Sequence, residues 1–290
     1  MKVKAAVERI MGSIFFICGM VTIVAVLAIS GYLIVSGLPA IREIGLVDFL
    51  LGQIWKSTAK EPLFGILPFI LTSVYGTLGA CLIGVPVGLM TAIFLAKVAS
   101  PKVASVVNTA VELLAGIPSV VYGLIGMIVL VPAVMKFFEL KNGTSLFAAI
   151  IVLAVMILPS IISVARTALM AVPEEYEEAS YALGATKMET VFKVSVPAAK
   201  SGIAAGIVLG IGRAIGEAMA VMMVAGNVAN MPELFKSVSF LTTTIAKEMA
   251  YAETGSLRQQ ALFSIALVLF VFIMVINTVL NVFLKRRKES

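Results

Sequence analysis

Long uncharged apolar runs constrain this chain more than any other feature. Gly12–Val35 supplies twenty-four residues without a charge, where a helix needs roughly 20 to cross the hydrocarbon of a bilayer. Similar runs lie at about Gly65–Ala96, Val103–Met135, Ser145–Val164, Gly202–Gly226 and Ala261–Leu284. Inside lipid every backbone N–H and C=O must find a partner within the protein, which leaves helices as the economical way for such runs to cross. Only 13% of the residues are charged, against roughly 25% in soluble domains. The expectation is an all-α integral membrane protein with six transmembrane helices. The first run is too long for a signal-peptide core of roughly 7–15 residues, so a retained span fits it better than a cleaved leader.

An even number of spans puts both termini on one side. With the termini inside, the inner segments hold thirteen Lys/Arg and the outer segments eight. The densest cluster, Lys285–Lys288, directly abuts the last span, where basic residues weigh most in orientation. Both termini are therefore expected to be cytoplasmic, in a multi-pass protein of a cytoplasmic membrane. Retained basic residues also account for the net charge of +6 without any nucleic-acid partner. Residues 1–64 read as an anchor helix plus an extracytoplasmic loop. Residues 65–290 read as a core of five spans interrupted by a cytoplasmic loop at about 172–201. The Ser36–Phe64 loop carries the single Trp, Trp55, and Pro62, which suit a membrane interface; Asn227–Gln260 forms a second long outer loop. The chain contains no histidine, and Cys18 and Cys81 lack metal-ligand or redox spacing. Histidine-based acid–base chemistry and thiolate metal sites are thereby excluded or disfavoured. No phosphate-binding P-loop motif occurs, so the chain does not hydrolyse nucleotide through a P-loop of its own.

The loop Val172–Ser201 has its own punctuation. Pro173 suits a first helical position, acidic Glu174, Glu175, Glu177 and Glu178 follow where the helix dipole favours them, and Gly184 suits a left-handed C-terminal cap. Tyr176, Ala179 and Leu183 fall on one face, with Glu174 and Glu178 pointing away. Such a short amphipathic helix between two spans should bind something at the membrane surface.

Three ionisable residues fall within the expected spans: Glu112, Arg213 and Glu217. Intramembrane charges are expensive and point by default to function. Arg213 and Glu217 stand at i and i+4, so on a continuous helix their heads can meet. Two readings stay open: a polar pathway for an ion, or a buried pair that only fixes packing. For Glu112, near one end of a long span, packing and pathway roles are evenly matched. Gly202, Gly206 and Gly210 form one small-residue ridge, and Gly212 and Gly216 another, each permitting close helix approach. Pro118 and Pro159 are expected to kink their helices.

Glu178-Ala179-Ser180, three residues, Gly184, nine residues and Val194-Ser195-Val196-Pro197 resemble the EAA signature of bacterial ABC-importer permeases, with three mild substitutions. Leu113–Gly123 (LLAGIPSVVYG), Val155–Ile161 and Gly210–Asn227 further resemble the phosphate-specific transport permeases of the PstC type. The resemblance implies the MetI-like architecture of type I importers. It also implies that Glu178, Ala179, Gly184 and Pro197 belong to a coupling element docking on a separate ATPase dimer. ATP and magnesium would then reside on that partner, with no cofactor on this chain. A second, homologous permease subunit and an extracytoplasmic phosphate-binding protein complete the implied assembly. Arg213, Glu217 and Glu112 become candidates for the phosphate pathway, since Arg213 offers a planar fork suited to phosphate oxygens. A permease for sulfate, molybdate or an organic solute is the nearest rival. A non-transporting scaffold in phosphate signalling is the rival of a different class.

Overall fold

In the computed structural model, the backbone is described for residues 2–286 and the side chains for residues 10–279 and Glu8; Lys285–Lys288 fall outside the described side chains. Helix α1 (Lys2–Ile44) is followed by α2 (Leu46–Leu51) and a two-stranded antiparallel hairpin, β1 (Trp55–Lys56) against β2 (Leu63–Phe64). Next come α3 (Leu67–Ile93), prolonged by a π-helical turn Phe94–Val98, then α4 (Pro101–Gly116), α5 (Ser119–Ile125), a π-turn and α6 (Val131–Phe137). Helix α7 (Leu146–Met170) precedes the short elements α8 (Glu174–Ala182), α9 (Lys187–Thr190) and α10 (Val196–Ala198). The chain closes with α11 (Lys200–Gly216), α12 (Met219–Val224), α13 (Leu241–Glu248) and α14 (Leu257–Arg286).

Among the described residues, five helical segments are long and apolar enough to span by themselves: Ile10–Ile44, Leu67–Val98, Ser119–Phe137, Leu146–Met170 and Leu257–Val279. A sixth, Lys187–Ala198 joined to Lys200–Gly216 across a 71° bend, qualifies when the two parts are taken together. The six-span expectation holds, with two spans differently built. The third expected span is not continuous. Its helix stops at Gly116, and Ile117 (φ −70°, ψ 127°) and Pro118 (φ −58°, ψ 142°) are extended before α5 begins. Proline disfavours helical geometry in the residue before it, and a preceding glycine costs about 1 kcal/mol in a helix. Pro118 therefore ends a helix where a kink was expected; Pro159 lies inside α7 without ending it. The fifth span is likewise cut: α11 ends at Gly216 and Glu217 is extended (φ −73°, ψ 128°).

Other boundaries shift less. Helix α1 continues through the first part of the expected Ser36–Phe64 loop, to Ile44. Helix α7 runs six residues beyond the expected Val164, to Met170.

Helix α7 is the axis of the bundle, packed against α3 and α11, with Leu153, Met156, Ile157 and Ile161 wholly enclosed. Close packing, rather than exclusion of water, holds helices together in lipid, and the contact surface shows how. A Cβ on Gly202 would lie 2.3 Å from the Ala168 side chain, one on Gly206 3.2 Å from Val164, and one on Gly210 2.9 Å from Ile161. The expected Gly202–Gly206–Gly210 ridge is thus the α7-facing side of α11. Gly212 and Gly216, by contrast, face open space.

The hairpin end of the bundle gathers Phe49, Trp55, Phe64, Ile66, Phe69, Leu241, Leu262 and Ile265 into one cluster. Trp55, expected at a membrane interface, is buried here, with its ring 5.3 Å from that of Phe64 and 5.5 Å from that of Phe69. Its indole N–H donates to Glu248 Oε1 at 2.9 Å. The indole N–H thus finds its partner within the fold, as that of a buried Trp usually does. Helix α1 joins the bundle mainly along α14, through a Tyr32–Phe263 edge contact (5.4 Å) and the Ser264 hydroxyl donating to the Gly37 carbonyl.

Candidate functional site

Helix α8 forms as its sequence dictates, with one offset: Pro173 occupies the cap position (ψ 137°) and Glu174 opens the helix. Gly184 adopts φ +84°, the left-handed geometry glycine tolerates. The Gly184 and Ala185 N–H groups donate back to the Tyr181 and Ser180 carbonyls at 2.9 and 3.2 Å, closing the helix with a Schellman-type turn. The following turn is fixed by a capping box between Thr186 and Glu189.

No residue of α8 is buried. Glu178, Ala179, Gly184 and Pro197 are all exposed, and so are Tyr176 (56%), Tyr181 (43%) and Leu183 (91%). The apolar face expected for α8 is therefore turned away from the body of the protein. The side turned inward is polar. Glu177 pairs with Lys97 Nζ at 2.5 Å and accepts from Ser195 Oγ at 2.8 Å, while the Ser180 and Thr190 hydroxyls meet at 2.9 Å. Burial pushes the Glu177 carboxyl up, but hydrogen bonds from Lys97 and Ser195 and the charges of Lys97 and Lys187 outweigh it and hold the group below its ordinary value.

The intramembrane charges are arranged otherwise than expected. Arg213 and Glu217 do not pair. Because α11 stops at Gly216, Glu217 leaves the helical path. Its Oε1 accepts from the Ala220 N–H (3.0 Å), placing a carboxylate at the N-terminus of α12. Its carbonyl accepts from Thr242 Oγ1 at 2.7 Å. Arg213 is half-buried, and its one hydrogen bond with another described residue is a long one, 3.5 Å, to Ser160 Oγ of α7. It also lies within electrostatic range of Tyr122, whose hydroxyl donates to the Leu114 carbonyl across the α4–α5 break (2.7 Å). The packing-pair reading of Arg213 and Glu217 thus fails on geometry. What remains is a lightly engaged cation beside two helix breaks, with α5 and α12 packed together through Gly123 and Ala220.

Glu112 is exposed on α4 and joined to neither Arg213 nor Glu217 by any hydrogen bond or ion pair among the described residues. It accepts from Asn108 Nδ2, and Asn108 Oδ1 accepts from Arg166 NH1 at 3.1 Å. Arg166 is a further cation within a span, since α7 continues past it, although it lies two residues beyond the expected end of that span at Val164. The Nε of Arg166 is buried without a partner. An arginine so close to an assigned span end was the available signal. For Glu177 and Lys97 there was none, because nothing in the sequence links position 97 to position 177.

Residues 84–289 match the family described as "Binding-protein-dependent transport system inner membrane component". The chain belongs to this family and is a multi-pass permease subunit of an ABC importer. Its relatives narrow the class. It is 41% identical over 274 residues to the probable ABC transporter permease protein YqgH of Bacillus subtilis, covering 93% of this chain and 89% of that one. It is 34% identical to the phosphate transport system permease protein PstC of Pasteurella multocida, covering 84% and 81%. The fold matches an inward-facing methionine transporter MetNI (TM-score 0.58, 20% identity, 77% of this chain and 94% of that one). It also matches a bacterial alginate transporter in complex with its periplasmic protein (TM-score 0.60, 16% identity, 93% and 92%). The architecture is that of the MetI-like permeases of type I importers.

Proposed function

We propose that this chain is one of two permease subunits of an ATP-driven importer of inorganic phosphate. The observation that carries the substrate is Arg213: half-buried in a cut span, beside an open glycine face and a second cut span, with one long hydrogen bond among the described residues. A phosphate carrying up to two negative charges needs a fixed cation to enter a bundle, and a guanidinium with free N–H groups can offer it a bidentate fork. The likeness to PstC proteins supports the same reading. Arg166, with its unpartnered Nε, adds positive potential further along α7.

In this scheme both termini and α8 face the cytoplasm. Tyr176, Ala179 and Leu183 dock on a separate ATPase dimer that holds ATP and magnesium, with Glu178, Gly184 and Pro197 shaping the contact. An extracytoplasmic phosphate-binding protein docks at the hairpin end and delivers its cargo, and a homologous permease supplies the other half of the path. Closure of the ATPase pushes on α8 and opens the bundle toward the binding protein; hydrolysis reverses it. Phosphate uptake by the reconstituted complex, with sulfate as competitor, tests the substrate. Uptake abolished in Arg213→Ala with assembly intact is expected. Undiminished uptake in that variant, or sulfate competing as well as phosphate, would sink the assignment. Gly184→Trp, which forces a bulky side chain into left-handed backbone, tests the docking and should abolish ATP-driven uptake.

A further inference from the structure

With no buried residue, helix α8 has little apolar packing by which to pass force to its neighbours. Helix α8 touches the rest of the protein through side-chain polar bonds to two separate elements. Through Glu177 it reaches Lys97, in the turn that ends α3. Through Glu177 again, and through Ser180, it reaches Ser195 and Thr190, in the segment that leads over the 71° bend into α11. Among the described residues, Glu177 alone serves both routes. Its carboxylate and the Lys97 ammonium are 18% and 13% exposed, so the pair is sheltered, whereas Lys193–Glu189 nearby is open, at 76% and 48%. Ser195 and Thr190 are wholly buried, so both serine and threonine anchor points are fixed in the body. The two elements reached are consequential ones. Helix α11 carries Arg213, and α3, at its far end, holds the first N–H of α13 through Ser73 Oγ (3.1 Å).

We propose that Glu177 is a positioning residue for energy coupling: it is the strut by which movement of α8 is delivered to α3 and α11 together. The two adjacent glutamates then divide the work. Glu178 faces outward toward the partner, and Glu177 faces inward and transmits. A sheltered ion pair suits this task because it resists extension and bending at one point, while leaving the outward face of α8 free for docking. The inference rests on the reading of α8 as the docking helix, and the test separates the two.

The assembled complex is reconstituted with Glu177→Gln, Lys97→Gln and the exchanged pair Glu177→Lys with Lys97→Glu, and phosphate uptake and ATP hydrolysis are measured together. A Glu175→Cys variant, at an exposed position of α8 outside the proposed contact, reports docking by crosslinking to a cysteine on the ATPase. The expected result is that Glu177→Gln still binds the ATPase and hydrolyses ATP, with phosphate moved per ATP reduced tenfold or more. The exchanged pair should recover a substantial part of that ratio, which would assign the effect to the ion pair rather than to either side chain alone. Undiminished uptake per ATP in Glu177→Gln, with the Glu175→Cys crosslink intact, would overturn the strut and leave the docking helix standing. Failure of that crosslink in the otherwise native complex would remove the docking reading itself. If Glu177→Gln does not assemble, Lys97→Gln reads the same link from α3, and normal coupling there overturns the proposal.

Discussion

At its hairpin end, α3 enters a cluster of aromatic and aliphatic side chains, with Ile66 and Phe69 enclosed beside Phe49, Leu241 and Leu262. Roughly 40 Å away, taking 1.5 Å per residue, the other end of the same helix is tied to α8 through Lys97 and Glu177. One end is sealed by apolar burial and by Glu248, which accepts from Trp55, Ser57 and Arg258 at once. At the other end the side-chain bonds to α8 among the described residues come from the ammonium of Lys97 and the hydroxyls of Thr190 and Ser195. Apolar packing resists every displacement and loses much when a single group is removed. Polar contacts at a few points let a helix shift while staying attached, and elements that move are drawn from the least buried parts of a structure. The contrast is between an end fixed by packing and an end joined to α8 by polar links, where the proposed lever would act, with one long helix between them.

The platform should break most expensively. Phe69→Ala is expected to destabilise the protein by about 3–5 kcal/mol, the cost of truncating an enclosed aromatic, read as a fall in the thermal unfolding midpoint in detergent. A loss under 1 kcal/mol would mean that the hairpin end is looser than its packing implies. Next comes Glu248→Ala, which strips three donors of their common acceptor. Hydrogen bonds to a charged group are worth about 1.5–3 kcal/mol, and Glu248 is only 15% exposed. The loss should appear as faster hydrogen exchange in residues 53–65, with little change around α8.

The lever answers to pH. The Glu177 carboxyl is held below its ordinary value chiefly against the opposing pull of burial, by Lys97 and Ser195. A depressed carboxyl contributes its full stability above the unfolded value, about 4.3 for Glu, and loses it as pH falls through the lowered folded value. Neutral and mildly acidic solutions should therefore leave α8 in place. Only below the usual carboxylate range should the protection of residues 174–185 against hydrogen exchange, taken relative to the intrinsic rate at each pH, be lost, and Glu177→Gln should remove that acid dependence. Protection already lost between pH 6 and 7 would show that another group holds α8.

The sequence carried the architecture well and the wiring poorly. Six apolar runs are legible because lipid admits few alternatives, and Gly184 is legible because its left-handed geometry restricts the residue to glycine or little else. The two cuts were written in the sequence as Gly116-Ile117-Pro118 and Gly216-Glu217. They are hard to read because hydropathy continues straight across them. An i, i+4 pairing of Arg213 with Glu217 presupposes the very turn of helix that is absent. Lys97 with Glu177 was out of reach for a different reason. Their meeting depends on how α3 and the α8 segment come together in space, and eighty residues of chain separate them.

The smallest effect on stability should come from the outward face of α8, and it discriminates most sharply between lever and ornament. Leu183 is 91% exposed, so Leu183→Ala removes almost no intramolecular contact and should change stability by less than about 0.5 kcal/mol. A surface leucine in that position has no structural reason to be large. If it is an anchor in a pocket of the ATPase, truncation removes buried area from the complex alone, and losses of 1–2 kcal/mol there correspond to roughly 5–30-fold weaker association. Thermal unfolding of the isolated subunit and binding of the ATPase subunits to it, measured side by side, should therefore diverge. A variant equally stable and equally well bound would leave the exposed face of α8 without a partner, and the distinction between platform and lever would rest on the ion pair alone.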